Sequence, residues 1–261
     1  MERGILTVDG RSGAAIQAAL DAAGARGGAV VRLEPGRYVI EGPLLLDSDT
    51  NLAGAGASLT TLVLAPGTGT NMIENRSVGA RHLSVRSLAL DGNGPDQERR
   101  PGSVGHVWAC GMCFRRSQRI RVVDVVAERI RQTALHVNEC ADVVVDDLLA
   151  EDVGWSGVSS SGTDAIVLRS VTVRRAGLDL VHSGIHLDGG TGAYVDALVE
   201  DVTGNAIMID STFAAMADVV VRGTGRRAHR GVSLSGSLDH PLRNVLVTGA
   251  YTDNEQAGGP G

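Results

Sequence analysis

The stretch Gly184-Ile185-His186-Leu187 has a pattern (small, apolar, variable, then usually apolar) that returns along the chain every 22 to 27 residues. A period of roughly 20 to 50 residues is typical of repeat architectures, in which each unit packs only against its neighbours. The intervals contain short segments of alternating apolar residues and leave no room for a helix, so the repeat predicts a coil of β-structure. The pattern recurs in Gly111-Met112-Cys113-Phe114, Ala134-Leu135-His136-Val137, Gly157-Val158-Ser159-Ser160, Ala206-Ile207-Met208-Ile209 and Gly231-Val232-Ser233-Leu234.

Each coil is predicted to contain three short strands. Because side chains alternate along a strand, Leu135 and Val137 are predicted to point inward from the first strand of one coil. Val143 and Val145 are predicted to do so from its second strand. Asp146-Asp147 then indicates a turn, after which the third strand begins.

A single amphipathic helix is predicted before the coils. Ile16, Leu20 and Ala23 fall on one face, Ser12 is a candidate N-cap, and Gly27-Gly28 ends the helix. An apolar helix at this point would cover the open end of the coil and its strand edges. The chain is therefore predicted to consist of an N-terminal segment with a capping helix (1–28), a parallel β-helix (29–253) and a disordered tail (254–261).

Composition excludes several classes of protein. The 261 residues are 43% hydrophobic but only 3% aromatic, which favours a narrow interior of aliphatic side chains. The net charge of −6 argues against nucleic-acid binding, and no apolar run approaches the roughly 20 residues of a membrane span. The chain has no lysine, so no lysine base is available. Cys110 and Cys113 lie three residues apart on a predicted strand and so point to opposite faces.

Residues 1–9 lack the charged and apolar regions of a signal peptide. The expected location is therefore the cytoplasm, or outside the cell if an export segment precedes this sequence.

Four N-terminal stretches carry a family resemblance: Ala14-Ala15-Ile16-Gln17-Ala18-Ala19-Leu20, Gly27-Gly28-Ala29-Val30-Val31, Pro35-Gly36-Arg37-Tyr38 and Asn51-Leu52-Ala53-Gly54-Ala55-Gly56. Together with the later coils, they resemble the pectate-lyase-like superfamily. The resemblance implies an all-β fold, a single-stranded right-handed parallel β-helix with an N-terminal capping α-helix. It also implies a substrate bound on the sheet of first strands, in a groove walled by loops.

The superfamily includes polysaccharide lyases, polygalacturonase-type hydrolases, uronate epimerases and non-catalytic binding proteins. Polygalacturonases carry aspartates immediately before the first-strand motifs, where this chain has Ser156, Ser183, Asn205 and Arg230. This departure argues against an inverting hydrolase of that kind, which needs two carboxylates across the scissile bond.

The third and fifth residues of each motif are predicted to point outward and to form two rows across the coils. Stacking at about 4.8 Å would place Asp188 beside Asp210, and His136 about 10 Å from His186. The rows of interest are His136, Ser159 and His186, and Arg115, Asn138, Asp188 and Asp210.

Imidazoles titrate near neutrality and carboxylates pair with them, so this face predicts acid–base chemistry. The predicted catalytic residues are His136, His186, Asp188 and Asp210. The predicted substrate-binding residues are Asn138, Ser159 and Arg115, with His182, Asp179 and Trp155 in return loops and Trp108 directly after the long loop 91–107. No cofactor and no metal-ligand set is assigned, although Asp188 and Asp210 with an imidazole leave Ca²⁺ open.

Three functions fit these observations. The first is a lyase or epimerase that removes a proton from a sugar or uronate on the first-strand sheet. The second is an intracellular isomerase, cyclase or dehydratase acting on a small metabolite, which the scarcity of aromatic residues favours. The third is a non-catalytic glycan-binding β-helix. The expected partner is a saccharide or small molecule, not nucleic acid or membrane. The C-terminal edge is expected to be covered either by a partner subunit, in a homo-oligomer, or by the last loop.

Overall fold

A computed structural model describes residues 4–97, 109–212 and 214–253, which form stacked coils of parallel strands. The first elements are β1 (Ile5–Thr7), α1 (Gly13–Ala25), β2 (Val30–Arg32), β3 (Gly36–Ile40), β4 (Leu44–Leu46), β5 (Asn51–Ala53), β6 (Thr60–Leu64) and β7 (Ile73–Asn75). Trp108, most of the predicted 91–107 excursion and the predicted tail at 254–261 lie outside the described residues.

The regular coils follow from residue 81, with one 3₁₀ turn at Gly94–Asp96. Their strands are β8 (Arg81–Asp91), β9 (Met112–Arg115), β10 (Gln118–Glu128), β11 (Leu135–Asn138), β12 (Ala141–Val153), β13 (Val158–Ser161), β14 (Asp164–Ala176), β15 (Ile185–Asp188), β16 (Gly190–Glu200), β17 (Asn205–Asp210), β18 (Met216–Arg226), β19 (Arg230–Ser235) and β20 (Leu242–Thr252).

The described strands form two parallel sheets. The predicted first strands make up the smaller sheet, in the order β19-β17-β15-β13-β11-β9-β7-β4. The larger sheet runs β1-β2-β5-β8-β10-β12-β14-β16-β18-β20, with β3 and β6 paired beside it. Each strand therefore bonds to the equivalent strand one coil away, which confirms the right-handed parallel β-helix.

From β8 onward, the predicted second and third strands join into one long strand with a bend. In β8, Ser84 pairs with the short strand β5 and Ala89 pairs with the short strand β6, so β8 continues both of these strands. In four successive coils the bend falls on a residue with positive φ: Ser87, Asp124, Asp147 and Ser170. Short polar side chains tolerate this left-handed conformation better than branched or bulky ones. The turn predicted at Asp146-Asp147 is therefore confirmed.

A second column of left-handed residues lies where each coil turns back to its first strand. Its charges alternate in sign from coil to coil along Arg129, Asp152, Arg175, Asp201 and Arg227. Nε of Arg175 lies 2.6 Å from Oδ1 of Asp152, and Nη2 of Arg227 lies 2.7 Å from Oδ2 of Asp201. Each exposed ion pair of this kind contributes little to the stability of the fold. A coil added to the column or missing from it would nevertheless place two like charges next to each other.

Helix α1 packs on the first coil. Ser12 is its N-cap and accepts a hydrogen bond from the backbone N–H of Ala15 at 3.2 Å. Ile16, Leu20 and Ala23 are fully buried in the same apolar core as the inward-facing strand residues. The predicted cap and buried face of the helix are therefore confirmed.

The core is less covered in the last coil. Leu234 continues the inward row of Leu187 and Ile209, yet it is 50% exposed whereas both of those are fully buried. Contact with another copy of the chain at this end remains a prediction.

The first testable prediction concerns the coil corner that follows the first-strand residue Asp188. Gly190 has φ of 103°, and a Cβ there would run into the backbone of Thr163. Gly192 has φ of 70°, and its nearest neighbour would be 3.7 Å from a Cβ. We expect Gly190→Ala to lower the free energy of unfolding by about 3 kcal/mol, and Gly192→Ala by about 1 kcal/mol, in urea denaturation. Equal losses in the two variants would contradict this account of the corner.

Candidate active site

The first outward row lies where the repeat predicted it. Parallel pairing places Cys113 beside His136, His136 beside Ser159, Ser159 beside His186, and His186 beside Met208. The inward neighbours Ile185 and Leu187 are fully buried in the core, so His186 points to the opposite face of the sheet. His136 and His186 are therefore two coils apart on one surface.

The second outward row is also in the predicted register. Asn138 pairs with Arg115 on one side and with Ser161 on the other. Asp188 pairs with both Ser161 and Asp210, so the two carboxylates come from adjacent strands. Four of the predicted residues, His136, His186, Asp188 and Asp210, thus lie on one face of the small sheet.

The burial of this face corrects the expectation of an open polar wall. Asp188 is 2% exposed, Asp210 7% and His136 9%. Ser159 and Asn138 are half-buried, and only Arg115 at the end of its row is exposed. A buried polar group must be compensated by hydrogen bonds or charge partners, so these side chains are held in a structured site and are not a merely solvated surface.

His186 lies next to the acidic pair. Its Nε2 is 3.8 Å from Oδ2 of Asp210, and Oδ1 of Asp210 accepts a 2.6 Å hydrogen bond from the Thr212 hydroxyl. Within the described residues, His186 Nε2 is buried without a hydrogen-bond partner. A small approach of ring and carboxylate, or a bound hydroxyl group between them, would satisfy both atoms.

The return loops add two rings to the site. The rings of Trp155 and His182 are stacked, with centroids 6.0 Å apart and planes 9° from parallel. The His182 ring is tilted against that of His186, with centroids 5.5 Å apart. The sequence prediction placed His182 and Trp155 in the groove wall. The structure brings His182 against the catalytic candidate His186, with Trp155 stacked on His182.

Ser156 determines which nitrogen of His182 carries the proton. Its hydroxyl lies 2.6 Å from the carbonyl of Ser183 and 2.6 Å from Nδ1 of His182. A carbonyl can only accept, so the single hydroxyl proton goes to Ser183. Nδ1 of His182 must then donate to the serine oxygen, and Nε2 keeps a lone pair. His182 is therefore oriented as a proton acceptor.

Burial lowers the pKa values of all three imidazoles in the cluster. Burial, the Arg115 charge and His186 lower the pKa of His136 to about 4; burial and His186 lower the pKa of His182 to about 4. Burial also lowers the pKa of His186, but Asp188 and Asp210 oppose that effect. Of the three rings, His186 is the one that two carboxylates favour in the protonated state.

Asp179 belongs to the same return loop as His182 but pairs with Arg131. Its Oδ2 forms a 2.7 Å ion pair with Nη1 of Arg131, and both side chains are largely buried. Sequence reasoning missed Arg131 and treated Ser156 only as the position where polygalacturonases carry aspartate. Ser156 was visible as a hydroxyl directly before a first-strand motif, but its partner comes from the next coil.

The polar side chains of the site offer few ligands for a metal ion. Among the described residues, no group of three or more His, Cys, Asp or Glu side chains is placed to hold a metal ion. Asp188 and Asp210 supply two carboxylates with one imidazole at 3.8 Å from Asp210, which is few for the six to eight oxygen ligands typical of Ca²⁺. In the same part of the chain, no helix is long and apolar enough to span a bilayer.

Coils stacked in register, with a polar cluster on the first-strand sheet, define a right-handed β-helix of the pectate-lyase-like class. The sequence pattern of the family described as rhamnogalacturonase A/epimerase, pectate lyase-like, matches residues 7–207. The chain belongs to this family, and the resemblance seen in the sequence is confirmed. No curated protein sequence matches the chain.

Three solved structures share the fold. The DFA-IIIase of Arthrobacter chlorophenolicus A6, without its lid, is 14% identical with a TM-score of 0.71, covering 98% of this chain and 73% of its own. The family 28 exopolygalacturonase of Yersinia enterocolitica is 14% identical with a TM-score of 0.70, covering 96% and 59%. PfbA, a surface adhesin of Streptococcus pneumoniae, is 12% identical with a TM-score of 0.55, covering 94% and 78%. At these identities the likeness concerns the fold.

The second prediction tests the orientation of His182. Ring ¹⁵N NMR of the wild-type chain is expected to show the Nδ1–H tautomer of His182, because Ser156 accepts that proton. Ser156→Ala removes the acceptor and is expected to shift the ring toward the Nε2–H tautomer. Ser159→Ala, in the neighbouring outward row, is the control and is expected to leave the His182 signals unchanged. An Nε2–H tautomer in the wild type would refute the assignment.

The third prediction concerns acid stability. Below an unfolded-state pKa of about 6.5, the unfolded chain binds a proton at His136 that the folded chain does not bind until about pH 4. Stability is therefore lost as the pH falls through this window, by about 2–3 kcal/mol for this group. His136→Asn is expected to remove that part of the loss in urea denaturation at a series of pH values.

Ser159→Ala is again the control, since it changes packing in the same row without removing a titrating group. A pH dependence in His136→Asn as steep as in the wild type would show that His136 is protonated alike in both states.

Proposed function

We propose that this chain is a saccharide-active enzyme that removes a proton from a sugar or uronate bound on the first-strand sheet, by lyase- or epimerase-type chemistry. The observation that carries the proposal is the pair of tilted rings, His182 and His186, whose centroids are 5.5 Å apart, with the charges of Asp188 and Asp210 acting on His186. Two imidazoles in contact, of which carboxylates favour one in the protonated state, can serve as a base and an acid.

His182 is the proposed base. Its Nδ1 proton is held by Ser156, which leaves the lone pair of Nε2 to take the proton from the carbon next to the sugar carboxyl group. The electron pair left behind delocalises into that carboxyl group.

His186 is the proposed acid, with Asp210 beside it. In an elimination the bond from carbon to the leaving glycosyl oxygen breaks, and that oxygen takes the proton of His186. In an epimerisation His186 returns a proton to the opposite face of the same carbon. Exchange with water then restores both rings.

Trp155 is the proposed binding surface for the sugar ring. Its indole is half-buried and continues the stacked wall formed with His182. Aromatic faces pack against the apolar face of a ring while the hydroxyl groups bond elsewhere. Asn138 and Ser159 are half-buried in the two rows and are the proposed hydrogen-bonding partners. Arg115, which is exposed at the end of its row, is the proposed partner of a sugar carboxylate.

Hydrolysis is the second candidate, and one observation favours it. Asp188 and Asp210 pair across adjacent strands, which supplies two carboxylates on one face. The fold is shared with an exopolygalacturonase, a name that indicates a hydrolase. The chain spans only 59% of that enzyme and lacks aspartates at the positions before the first-strand motifs, so the proton-removal proposal is preferred.

Two further hypotheses about function make different predictions for the same site. A small-metabolite isomerase, cyclase or dehydratase would act on compounds of one or two rings and not on polymers, and would suit a cytoplasmic location. A glycan-binding β-helix, a role suggested by the shared fold with a surface adhesin, would bind saccharide without turnover.

The fourth prediction separates these functions by their products. Uronate polymers, their oligomers and neutral glycans are incubated with the chain. New ultraviolet absorbance reports elimination, NMR reports epimerisation, and new reducing ends without absorbance report hydrolysis. We expect elimination or epimerisation, with His182→Gln and His186→Gln each lowering kcat by about 10²- to 10⁴-fold. Because the base must be neutral, the wild-type rate is expected to fall as the pH drops through about 4.

His82→Gln is the matched control, since this imidazole lies on the large sheet beside Asp49, away from the cluster. Its kcat is expected to stay within twofold of the wild type. Saccharide binding without any product would favour the binding protein. Hydrolysis abolished by Asp188→Asn or Asp210→Asn, with His182→Gln active, would favour the second candidate.

A further inference from the structure

We propose a second saccharide subsite in a cavity lined in part by the return loop that carries His182. It would take one neutral sugar unit of the same oligosaccharide that the first site binds, so it rests on the proposed function and extends its substrate class. The cavity has a volume of about 390 Å³, within the usual range for small-molecule sites. Its lining includes Arg129, Ile130, Arg131, Leu178, Asp179 and Pro95.

The floor of the cavity is a fixed ion pair. Arg131 and Asp179 bond at 2.7 Å, with only 15% and 18% of their side chains exposed, and both line the cavity. A guanidinium offers donors and a carboxylate offers acceptors, while each sugar hydroxyl can do both. Two neighbouring hydroxyl groups therefore match this pair, and its rigidity reduces the entropy lost on binding.

The charges of the cavity favour a neutral ligand. Arg131 is balanced by Asp179, and Arg129 forms an ion pair with the buried Asp91. The remaining acidic side chain of the lining, Asp152, forms an ion pair with Arg175. Each charge is already matched, so a uronate carboxylate would gain little here and would have to displace an existing partner.

The wall of the cavity supplies an apolar surface. Leu178 lines the cavity and is 55% exposed, so its side chain is open to contact with a ligand. Ile130 and Pro95 line the same cavity. The apolar C–H face of a sugar ring would pack on these side chains while its hydroxyl groups meet the ion pair.

The backbone joins this cavity to the first site. Gly177 N–H donates to the Trp155 carbonyl at 2.7 Å, and Asp179 N–H donates to the Gly154 carbonyl at 2.9 Å. A Cβ on Gly154 would collide with the Arg131 carbonyl and crowd the Asp179 carboxylate, so a glycine makes room for the pair. Asp179 and His182 are three residues apart, at most about 11 Å along the chain, so one oligosaccharide can reach both sites.

The fifth prediction is tested by methyl NMR of the full chain carrying His182→Gln, which prevents turnover. Galacto-, xylo- and fructo-oligosaccharides of four to six units are the neutral probes, and an oligogalacturonate of equal length is the acidic one. We expect at least one neutral probe to shift the methyl signals of Ile130 and Leu178 saturably. The acidic probe is expected to bind there about tenfold more weakly, equivalent to about 1.4 kcal/mol.

Matched variants separate the subsite from the surface around it. Leu178→Ser is expected to weaken neutral-probe binding at Ile130 by about tenfold, and Leu180→Ser, equally exposed but outside the cavity lining, by less than twofold. Asp179→Asn removes the carboxylate that balances the charge of Arg131. We therefore expect the cavity of this variant to bind the acidic probe more tightly, relative to the neutral probe, than the wild type does.

Several results would overturn the subsite: no methyl shift with any neutral probe, equal or tighter binding of the acidic probe, or equal losses in Leu178→Ser and Leu180→Ser. Turnover by the wild-type chain without these shifts would overturn the subsite and leave the proposed function standing. Saturable shifts without turnover of any substrate would leave the subsite and overturn the enzymatic proposal.

Discussion

The register of hydrogen bonds between coils is the constraint on which the rest of the structure depends. His186 has Ser159 on one side and Met208 on the other only because β15 pairs with β13 and β17 without a shift. A slip of one residue would turn the outward row into the core and bring Leu187 to the surface. The left-handed corners support this register, because residues such as Asp124 and Asp147 bend equivalent strands at the same place.

Burial of the polar side chains on the outward face lowers the stability of the fold, a cost that a purely structural sheet would avoid. Asp188, Asp210 and His136 are all less than 10% exposed on a face that water would otherwise solvate. Burial disfavours the charged imidazoles, and the lowered pKa of His136 is the measure of that effect. Buried ionisable side chains with shifted pKa values are typical of functional sites, although their burial lowers the stability of the fold.

The return loop from Gly177 to His182 connects the two sites. Its backbone bonds to Gly154 and Trp155 of the preceding coil, so its position is set by main-chain contacts and not by its own apolar side chains. One end places His182 against Trp155 and His186, and the middle places Asp179 against Arg131. A glycan crossing this loop would meet both the proposed acid–base pair and the charge-balanced cavity.

The architecture and the two outward rows could be predicted from the amino-acid sequence. A small and apolar motif that returns every 22 to 27 residues predicts stacked coils, and alternation within the motif assigns Leu187 inward and His186 outward. Three features depend on the folded chain as a whole: the burial of Asp188 and Asp210, the orientation of His182 by Ser156, and the ion pair of Arg131 with Asp179. Those contacts join residues 22 to 48 positions apart through return loops of unequal length, and loop geometry follows from packing, which no local pattern of residues specifies.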